Sequence, residues 1–505
     1  MEKKGWRDVL PGFVIRHAGN LAVGAWRKAM RLLKRAEDAR RKLAHHGLFL
    51  ESELPPPFSN LLQFAQGEGA NLITPFGVRD FLLLSEPQTP SPAAASLSAA
   101  DAEAVEISII IPVFNKAEFT FQCLRSLSAE IDLSKTEIIV VDNASSDETA
   151  RMLAAFNRRN DLVRVIRNEE NKGFVEACNQ GAAAARGAFL VFLNNDTIVQ
   201  KNWLTALRET FDRIEGVGAV GSMLVYPDGQ MQEAGGIVWR DGTARLYGSR
   251  ENPRDWRFNF AREVDYCSGA SLMIRKELFE RLGGFDMRFA PAYYEDTDLC
   301  MSIREAGLKV IFQPASRAAH FEGATAGRDT QTGFKRFQEI NRRKFVEKWR
   351  AVLEAEHFPP SAKNVFAASN RKEGPRIAVV SNHVPRPDKD SGSVRLTAIL
   401  ESLARLGRVT FVSIYHPSKN LEQAQKLGAS GIEVAWSFDF ERRLKSEKFD
   451  AVILSYPKPA DFMFSTVRRR QPAAKIIYDT VDVHFLRLER EFQLTGRAET
   501  AKEAA

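Results

Sequence analysis

The feature that most constrains the fold is the apolar run Phe189–Leu193, which follows Gly187 and ends abruptly in Asn194, Asn195 and Asp196. A short run rich in Val and Phe is typical of a strand buried on both faces, as in a parallel sheet. Polar side chains directly after such a strand lie at its carboxyl edge, where open α/β sheets bind ligands. Asn and Asp also form ordinary turns, so the rest of the chain must decide between a ligand site and a turn.

Strands and helices are predicted to alternate on both sides of this run. The predicted strands are Ile107–Val113, Glu137–Val141, Val163–Arg167, Phe189–Leu193, Val220–Tyr226, Ser271–Ile274 and Lys309–Phe312. The predicted helices are Phe119–Ala129, Glu148–Asn157, Gly173–Ala185, Trp203–Glu215, Glu277–Leu282, a helix that opens in 293–298 and runs to Ala306, and 332–356. This alternation predicts an α/β fold with a doubly wound, mostly parallel sheet. Three strands end in polar residues, Asn115, Asp142 and Asp196, and together they could line one crevice.

Composition divides the chain into six predicted segments. The segments are a basic, partly helical region (1–85), a Pro-, Ala- and Ser-rich linker (86–104), the α/β domain (105–330), a helical extension (331–358), a second linker (359–374) and a further Rossmann-like α/β unit (375–505). The predicted strands of that last unit are Arg376–Ser381, Val409–Ile414, Ala451–Ser455 and Lys475–Tyr478.

The basic character of the chain is concentrated at its N-terminus. The formal net charge is +7, while residues 1–46 hold twelve Lys and Arg against four Asp and Glu. The remainder is therefore close to neutral, which argues against a nucleic-acid-binding core. A basic amphipathic helix around Trp26 would suit an anionic membrane surface or would pack its apolar stripe on the next domain, and both interpretations stay open.

Cysteine usage and hydropathy favour a cytoplasmic protein. The four cysteines form no CxxC pair, which is typical of reduced thiols rather than of a disulfide framework or a zinc site. No apolar run approaches the roughly 18 residues that span a bilayer, and no signal peptide is recognisable. We therefore expect a cytoplasmic location, with peripheral contact to the inner face of the plasma membrane.

Six motifs in order resemble the family 2 inverting glycosyltransferases, which have the GT-A fold. They are Pro112-Val113-Phe114-Asn115, Asp142-Asn143-Ala144-Ser145-Ser146-Asp147, Asn171-Lys172-Gly173-Phe174 with Asn179, Asn194-Asn195-Asp196, Gly283-Gly284-Phe285-Asp286 and Glu295-Asp296-Thr297-Asp298-Leu299. The resemblance covers about residues 106–325 and is nearest to rhamnosyl- and galactofuranosyl-type enzymes of O-antigen and surface polysaccharides. It implies contacts to a nucleotide-sugar from Pro112, Val113, Asn115, Asp142, Asn143, Gly173, Asn179 and Asn195. An Asx turn or a helix cap is the plain alternative for Asp142.

The resemblance also implies a divalent metal, Mg²⁺ or Mn²⁺, at Asp196. Departure of a nucleoside diphosphate develops negative charge, which a metal held by hard oxygen ligands can neutralise. The family usually has Asp-x-Asp here, whereas this chain has Asn194 in the first position. A histidine after the acidic motif completes the metal site in the resembling enzymes, so His320, expected in a loop, is the predicted further ligand. Judged by its local sequence alone, His320 is more typical of a structural histidine than of a metal ligand.

The Glu295-Asp296 pair is predicted to supply the general base. Inverting transfer needs one base beside the acceptor hydroxyl, and the resemblance implies Asp296. Clustered acids raise one another's pKa, which suits a base. Gly269 and Asp298 are expected on the acceptor side. The plain alternative is a helix start rich in acidic residues that favour its dipole.

Two further motifs lead to separate conclusions. Gly216-Val217-Gly218-Ala219-Val220-Gly221 matches GxGxxG, but a helix precedes it and a strand follows, the reverse of a dinucleotide-binding turn. The N-terminal half of a family 4 GT-B glycosyltransferase is resembled by Asp390-Ser391-Gly392-Ser393-Val394-Arg395, Tyr478-Asp479-Thr480-Val481-Asp482 and His484. We expect this unit to be either cut short or kept for binding.

The resulting hypothesis is a metal-dependent inverting transferase. It would move a sugar from a UDP- or dTDP-sugar to a hydroxyl of a lipid-linked or polysaccharide acceptor. A protein acceptor is an alternative within the same class. An inactive carbohydrate-binding or scaffold protein is the alternative from another class, because Asn194 departs from the metal motif. A nucleotidyltransferase is disfavoured, because no Gly-rich loop with Lys or Arg follows the first strand.

Overall fold

A computed structural model describes residues 105–159, 163–322, 336–416, 420–445, 447–480, 490 and 493–494. All of them lie within one compact unit. The predicted basic region (1–85), the first linker (86–104) and the motif residues 481, 482 and 484 lie outside the described residues. Those expectations stay predictions.

The strands of the first half lie in one mixed sheet and a small hairpin. In chain order they are β1 (Ile107–Val113), β2 (Thr136–Asp142), β3 (Val163–Arg167), β4 (Phe189–Leu193), β5 (Thr197–Val199), β6 (Val217–Val225), β7 (Met231–Glu233), β8 (Gly236–Val238), β9 (Ala244–Leu246), β10 (Arg262–Glu263), β11 (Ser271–Arg275) and β12 (Lys309–His320). The main sheet has the order β10-β12-β6-β11-β4-β1-β2-β3, with β5 paired to β12 and β7 paired to β6. β8 and β9 pair with each other.

The parallel part of this sheet follows from its runs of Ile and Val. β2, β1 and β4 are parallel neighbours and every residue in them is buried, because helices cover both faces of such a sheet. β3 continues it in parallel, while β11 runs antiparallel to both β4 and β6. The sheet is therefore mixed, and its parallel ladders pair more residues than its antiparallel ones.

The helices of the first half lie close to their predicted positions. They are α1 (Ala117–Glu130), α2 (Thr149–Arg159), α3 (Gly173–Ala184), α4 (Trp203–Arg213), α5 (Lys276–Arg281), α6 (Glu295–Glu305) and α7 (Arg336–Glu356). Their boundaries differ from the predicted ones by a few residues, mostly at frayed ends.

β12 is the main departure from the predicted strands. The strand was expected to end at Phe312, but it continues to His320 after an irregularity between Gln313 and Arg317. Pro314 lies in that irregularity, and a proline normally argues against a continuous strand. The placement of His320 in a loop was therefore wrong: His320 is the last residue of β12 and pairs with Thr197 of β5.

Helix α7 supports the loop that precedes α6. Its buried residues Asn341, Phe345, Trp349 and Leu353 are spaced by four, which places them in one stripe. The Asn341 amide nitrogen is 2.7 Å from the carbonyl oxygen of Phe289, and it also contacts two carbonyls of the same loop. A buried side chain of the helical extension therefore holds the backbone that leads to Glu295.

The second half contains a separate parallel sheet. Its strands are β13 (Arg376–Ser381), β14 (Arg408–Ser413), β15 (Glu433–Trp436), β16 (Ala451–Ser455) and β17 (Lys475–Asp479), in the order β15-β14-β13-β16-β17. Its helices are α8 (Val365–Ala368), α9 (Ser391–Leu406), α10 (Leu421–Ala429), α11 (Ser437–Arg443) and α12 (Pro457–Arg470). β15 was not predicted, because it is short and begins with Glu433. That carboxylate is buried but accepts hydrogen bonds from Thr410 and Arg443. The relation of this half to a GT-B enzyme stays a prediction.

None of the helices in the described part of the chain combines the length and the apolar character needed to cross a bilayer.

Gly173 offers a test of how the loop before α6 is anchored. Its φ is +84°, and a Cβ there would lie 2.7 Å from the Cβ of Pro291. Gly229 has a similar φ of +80°, with nothing within 4 Å of the position that a Cβ would take. Left-handed backbone costs a non-glycine residue about 1–2 kcal/mol, and crowding adds on the order of 1–3 kcal/mol. We expect Gly173→Ala to lower the free energy of unfolding clearly more than Gly229→Ala does, as measured by denaturant titration. Equal losses would show that the contact with Pro291 carries no energy.

Candidate active site

The polar exit of β4 is rigidly held by its neighbours. The Asn194 backbone N–H donates to the carbonyl of Ala270 at 3.1 Å, and the Thr197 hydroxyl donates to the Asn194 carbonyl at 2.7 Å. The Asn195 side chain donates to the hydroxyl of Thr120 at 3.0 Å. The turn after β4 therefore presents Asn194 and Asp196 in a fixed arrangement.

Asp196 and His320 meet at this edge because β5 pairs with β12. His320 Nε2 lies 3.2 Å from Asp196 Oδ1 and 3.3 Å from the Asn194 side-chain nitrogen. The other ring nitrogen, Nδ1, lies 3.0 Å from Gln232 Oε1. Since that amide oxygen can only accept, Nδ1 carries a proton and Nε2 points towards Asp196 and Asn194.

The polar groups of this cluster are not fully satisfied by one another. Burial alone would lower the pKa of His320, but the neighbouring Asp196 carboxylate outweighs it and raises that pKa. The side-chain oxygen of Asn194 is buried and has no hydrogen-bond partner among the described residues. An amide turned by 180° would direct that oxygen towards His320 Nε2. A carboxylate, an amide oxygen and an imidazole nitrogen then converge on one place.

This donor set is compatible with a divalent cation, although it contains few charged ligands. The described residues contain no group of three or more His, Cys, Asp and Glu side chains arranged to hold a metal. Only Asp196 and His320 of the predicted set belong to those residue types. The unpartnered oxygen of Asn194 is the observation that fits a cation, because hard oxygen ligands suit Mg²⁺ and Mn²⁺ and imidazole is also accepted.

Asp296 lies at the start of α6, where the loop through Tyr293 and Tyr294 takes left-handed backbone. Asp296 Oδ2 accepts from the Gly269 backbone N–H at 2.9 Å, and Oδ1 accepts from the Thr297 N–H at 2.6 Å. Burial raises the pKa of Asp296, while these hydrogen bonds oppose the rise. Both backbone bonds favour the ionised carboxylate.

The adjacent Glu295 has a different environment. It is buried, and its Oε2 has no partner among the described residues. Burial, with the neighbouring Asp296 carboxylate, holds the pKa of Glu295 well above its ordinary value. The surroundings therefore favour the protonated form of Glu295 more strongly than that of Asp296, whose carboxylate receives backbone donors and is the one suited to accept a proton.

One cavity of about 340 Å³ brings most of the predicted site residues together. Those that line it are Pro112, Val113, Asn143, Gly173, Asn194, Asn195, Asp196, Gly269, Glu295, Asp296 and His320. They come from the carboxyl end of the sheet, from the loop before β11 and from the start of α6.

Asn115, Asp142 and Asn179 do not line this cavity, and their side chains brace loops instead. Asn115 Oδ1 accepts from the Ser146 backbone N–H at 2.8 Å. Asp142 accepts from the Ser145 N–H at 2.9 Å, as an Asx turn would, and also from Arg167.

Asn179 binds a distant loop with both ends of its amide. Its nitrogen donates to the Phe285 carbonyl at 2.8 Å, and its oxygen accepts from the Phe285 N–H at 2.9 Å. The direct contacts of Asn115, Asp142 and Asn179 to a nucleotide-sugar stay predictions.

Asp298 requires a correction, because its side chain does not reach the cavity. Its Oδ2 is 2.8 Å from Lys348 Nζ, and its Oδ1 accepts from the Trp349 indole at 2.7 Å. Both partners belong to α7, so Asp298 joins α6 to the helical extension. The expectation that it lies on the acceptor side was therefore wrong. The sequence shows several acidic residues at one helix start but does not indicate which of them faces the neighbouring helix.

Sequence reasoning missed Gln232, Glu233 and Glu322, which also line the cavity. Gln232 contacts His320 and donates to Glu322 at 3.3 Å. Glu233 is buried, accepts from the Ser268 N–H at 3.0 Å, and has its pKa raised to about 8 by burial. Gln232 and Glu233 lie in a region that shows only hairpin and loop signals, so no local pattern singles them out.

Part of the chain is similar to known glycosyltransferases. Residues 108–283 match the glycosyl transferase family 2 model, so the chain contains a domain of that family. The O-antigen biosynthesis protein RfbC of Myxococcus xanthus is 31% identical over 235 residues, which cover 44% of this chain and 18% of that protein. Glycosyltransferase AglE of Haloferax volcanii is 34% identical over 183 residues, 35% of this chain and 55% of that protein.

An N-acetylglucosaminyl-diphospho-decaprenol L-rhamnosyltransferase of Mycobacterium tuberculosis is also similar. It is 26% identical over 226 residues, which cover 40% of this chain and 71% of that protein. The chain thus spans only about a fifth of RfbC and about half of AglE.

Glu233 makes the stability of the protein depend on pH. Its folded-state pKa of about 8 lies above the ordinary value of 4.5, so folding takes up a proton between these values. The stabilisation that protonated Glu233 gives to the folded state is complete below pH 4.5. It is lost as pH rises to about 8, and the free energy of unfolding falls by on the order of 1 kcal/mol per pH unit. Glu233→Gln keeps the acceptor for Ser268 and removes the titration. We expect its stability relative to the parent to increase steadily from pH 5 to pH 8, measured by denaturant unfolding with a chelator present.

Glu305→Gln, at the exposed end of α6, is the matched control and should show no such slope. A flat pH profile for Glu233→Gln would mean that Glu233 is ionised in the folded protein at pH 5–8.

Proposed function

We propose that this protein, which carries a glycosyl transferase family 2 domain in residues 108–283, is an inverting glycosyltransferase. It transfers a sugar from a UDP- or dTDP-sugar to a hydroxyl of a lipid-linked or polysaccharide acceptor. The names of two similar proteins, an O-antigen biosynthesis protein and a diphospho-decaprenol rhamnosyltransferase, support an acceptor of this kind.

One observation carries the proposal: two different chemical functions lie in the same cavity. Asn194, Asp196 and His320 form a group of possible cation ligands, and Asp296 forms a separate carboxylate held by backbone donors. A transferase of this kind needs stabilisation of a leaving diphosphate and a base on the acceptor hydroxyl. The cavity holds candidates for both.

Asp196, His320 and the side-chain oxygen of Asn194 would hold a divalent metal. Such a metal, Mg²⁺ or Mn²⁺, would supply positive charge opposite the diphosphate of the leaving group. Gln232 fixes the imidazole so that Nε2 is available, because it accepts from Nδ1. Gln232 therefore orients the His320 imidazole through the ring nitrogen that faces away from the cation.

Asp296 accepts the proton of the acceptor hydroxyl as that oxygen attacks the sugar. In an inverting displacement the attacking oxygen approaches from the face opposite the leaving group, so one base suffices. The Gly269 and Thr297 N–H groups hold the carboxylate in place. Glu295 lines the same cavity, and burial raises its pKa, so its protonated form can donate a hydrogen bond there.

Asp296→Asn tests the base. The variant keeps an acceptor for Gly269 but cannot take up the proton, and loss of a general base costs about 10²- to 10⁴-fold in rate. We expect transfer to fall by that factor while affinity for UDP, measured by calorimetry with Mn²⁺, stays within about threefold. Glu305→Gln is the control, since it removes a charge at the exposed end of the same helix, away from the cavity. Normal turnover in Asp296→Asn, with loss in Glu295→Gln, would assign the base to Glu295 instead.

Two substitutions with opposite effects test the cation site. His320→Ala removes a ligand and should weaken Mn²⁺ binding by about tenfold or more, whereas Asn194→Asp adds a carboxylate and should strengthen it. Titration of bound Mn²⁺ by electron paramagnetic resonance measures both without requiring activity. His357→Ala removes a buried histidine that contacts Val238 away from the cavity and should leave Mn²⁺ affinity unchanged. If His320→Ala binds Mn²⁺ normally and only melts at a lower temperature, His320 is structural.

A further inference from the structure

A second concave region lies between the two sheets, at the opposite end of β12 from the candidate active site. It is a cleft of about 1840 Å³, and it shares no lining residue with the cavity around Asp196. Lys309, at the start of β12, faces the cleft, while His320 at its end faces the cavity. The length of that strand separates them by roughly 35 Å, so the two sites are distinct.

Several cationic side chains line this cleft without an ion-pair partner among the described residues, and we call five of them the cationic cluster. Its members are Arg262, Lys309, Lys372, Arg376 and Arg408. Within the described part of the chain, none of them lies within ion-pair distance of a carboxylate.

Backbone carbonyls account for the bonds that the cluster makes. Lys309 Nζ donates to the Glu215 carbonyl at 2.8 Å, Arg408 donates to the Asn370 carbonyl at 2.8 Å, and Lys372 donates to the Ala404 carbonyl. The Arg376 guanidinium makes no hydrogen bond to the part of the chain that the structure describes. Neutral carbonyls satisfy donors but leave the positive charge uncompensated.

Arg262 is the most deeply placed member. It is 3% exposed, and it donates to the carbonyls of Ser369 at 3.1 Å and Ala234 at 2.6 Å. Its Nε is buried and has no partner among the described residues. A buried guanidinium without a carboxylate is costly. The rings of Tyr247, Phe260 and Phe312, whose centroids lie 4.6, 5.4 and 5.0 Å away, offset part of that cost but carry no negative charge.

The carboxylates near the cluster attract Lys372 and Arg408, but only from beyond ion-pair distance. Glu263 and Glu373 line the same cleft but form no ion pair with it, and Glu433 is committed to Arg443 and Thr410. Burial, and next the charge of Lys309, lower the pKa of Lys372. Burial lowers the pKa of Arg408 as well, and the charge of Arg376 adds to the effect. The cations are therefore close enough to repel one another.

Other arginines of the same cleft show what a compensated cation looks like here. Arg304 pairs with Glu356 at 3.1 Å, and Arg371 pairs with Asp265 at 2.6 Å and with Glu356 at 3.0 Å. These two arginines are held by carboxylates, whereas the cationic cluster has no ion pair among the described residues.

We propose that this cleft is a binding site for a phosphate- or diphosphate-bearing ligand, held by the cationic cluster. Arg side chains bind phosphate oxygens through a fork of donors, and Lys side chains add point charge. Several such groups around a cleft of this volume suit a diphosphate better than a single carboxylate. A nucleoside diphosphate, a prenyl diphosphate and free pyrophosphate share this chemistry. The site is independent of the proposed transferase reaction.

Calorimetric titration of inorganic pyrophosphate into the full chain tests the proposal, in low salt and with a chelator present. Arg376→Gln and Lys372→Gln should each weaken binding about tenfold, the loss expected for one charge-assisted contact. Arg376→Gln breaks no side-chain hydrogen bond within the described part of the protein, so its melting temperature should match the parent. Arg213→Gln is the control, because Arg213 also lines the cleft but is paired with Glu209.

Binding that is weakened by Arg376→Gln and Lys372→Gln but not by Arg213→Gln supports the site. No binding of pyrophosphate at millimolar concentration would overturn the proposal, and so would an equal loss in Arg213→Gln. A loss caused by Asp196→Asn instead would place the binding in the active-site cavity and would also overturn it. Titrations of UDP and of farnesyl diphosphate identify the source of the diphosphate. The ligand whose affinity exceeds that of pyrophosphate by the larger factor carries the group that the cleft accepts. Arg376→Gln should abolish this increase in affinity.

Discussion

The pairing of β5 with β12 is the constraint on which the candidate active site depends. It sets His320 directly opposite Thr197 and so places the imidazole against Asp196. These residues are more than a hundred positions apart along the chain, and the short strand β5 brings the exit of β4 to the end of β12. A one-residue slip would turn His320 to the other face of the sheet. The irregularity after Gln313 therefore matters for the site, because it sets the register with which the end of β12 pairs with β5.

The two adjacent carboxyl groups at the start of α6 show how the surroundings separate chemically similar residues. Asp296 receives backbone donors from Gly269 and Thr297, whereas Glu295 has a buried oxygen without a partner among the described residues. The first arrangement favours an ionised carboxylate and the second a protonated one. The loop before them is held by Asn341 of α7 and by the contact of Gly173 with Pro291. The helical extension is thus a structural support of the candidate active site.

The same elements reach both concave regions of the molecule. β12 runs from Lys309 in the cleft to His320 in the cavity, and α6 runs from Glu295 in the cavity to Glu305 in the cleft. Regular elements transmit position rigidly, because interiors are close-packed. The two regions differ in electrostatic character: acidic side chains outnumber basic ones in the cavity, and the cleft contains cations without an ion-pair partner among the described residues.

The local sequence pattern was sufficient to predict the elements that have a strong hydrophobic periodicity or a continuous apolar run. The bounds of β1, β3, β4, β13 and β16 were predicted to the residue, because Ile- and Val-rich runs between turn residues have one reasonable interpretation. The exit of β4 in Asn194, Asn195 and Asp196 and the acids of α6 were likewise visible as candidate ligands and as a candidate base. The sequence also contains six motifs in the order that resembles the family 2 glycosyltransferases, and a domain of this kind could be expected from them.

Only the tertiary structure decided which of these side chains meet. Asp298 was indistinguishable from Asp296 by its neighbours along the chain, but helix geometry turns it towards Lys348 and Trp349. Gln232 and Glu233 enter the cavity from a hairpin with no distinctive pattern, and His320 reaches Asp196 only through a strand interrupted by Pro314. Sequence determines what each segment can form, because propensity and periodicity act locally. Which groups share a cavity depends on register and packing between distant segments, and these are properties of the folded chain alone.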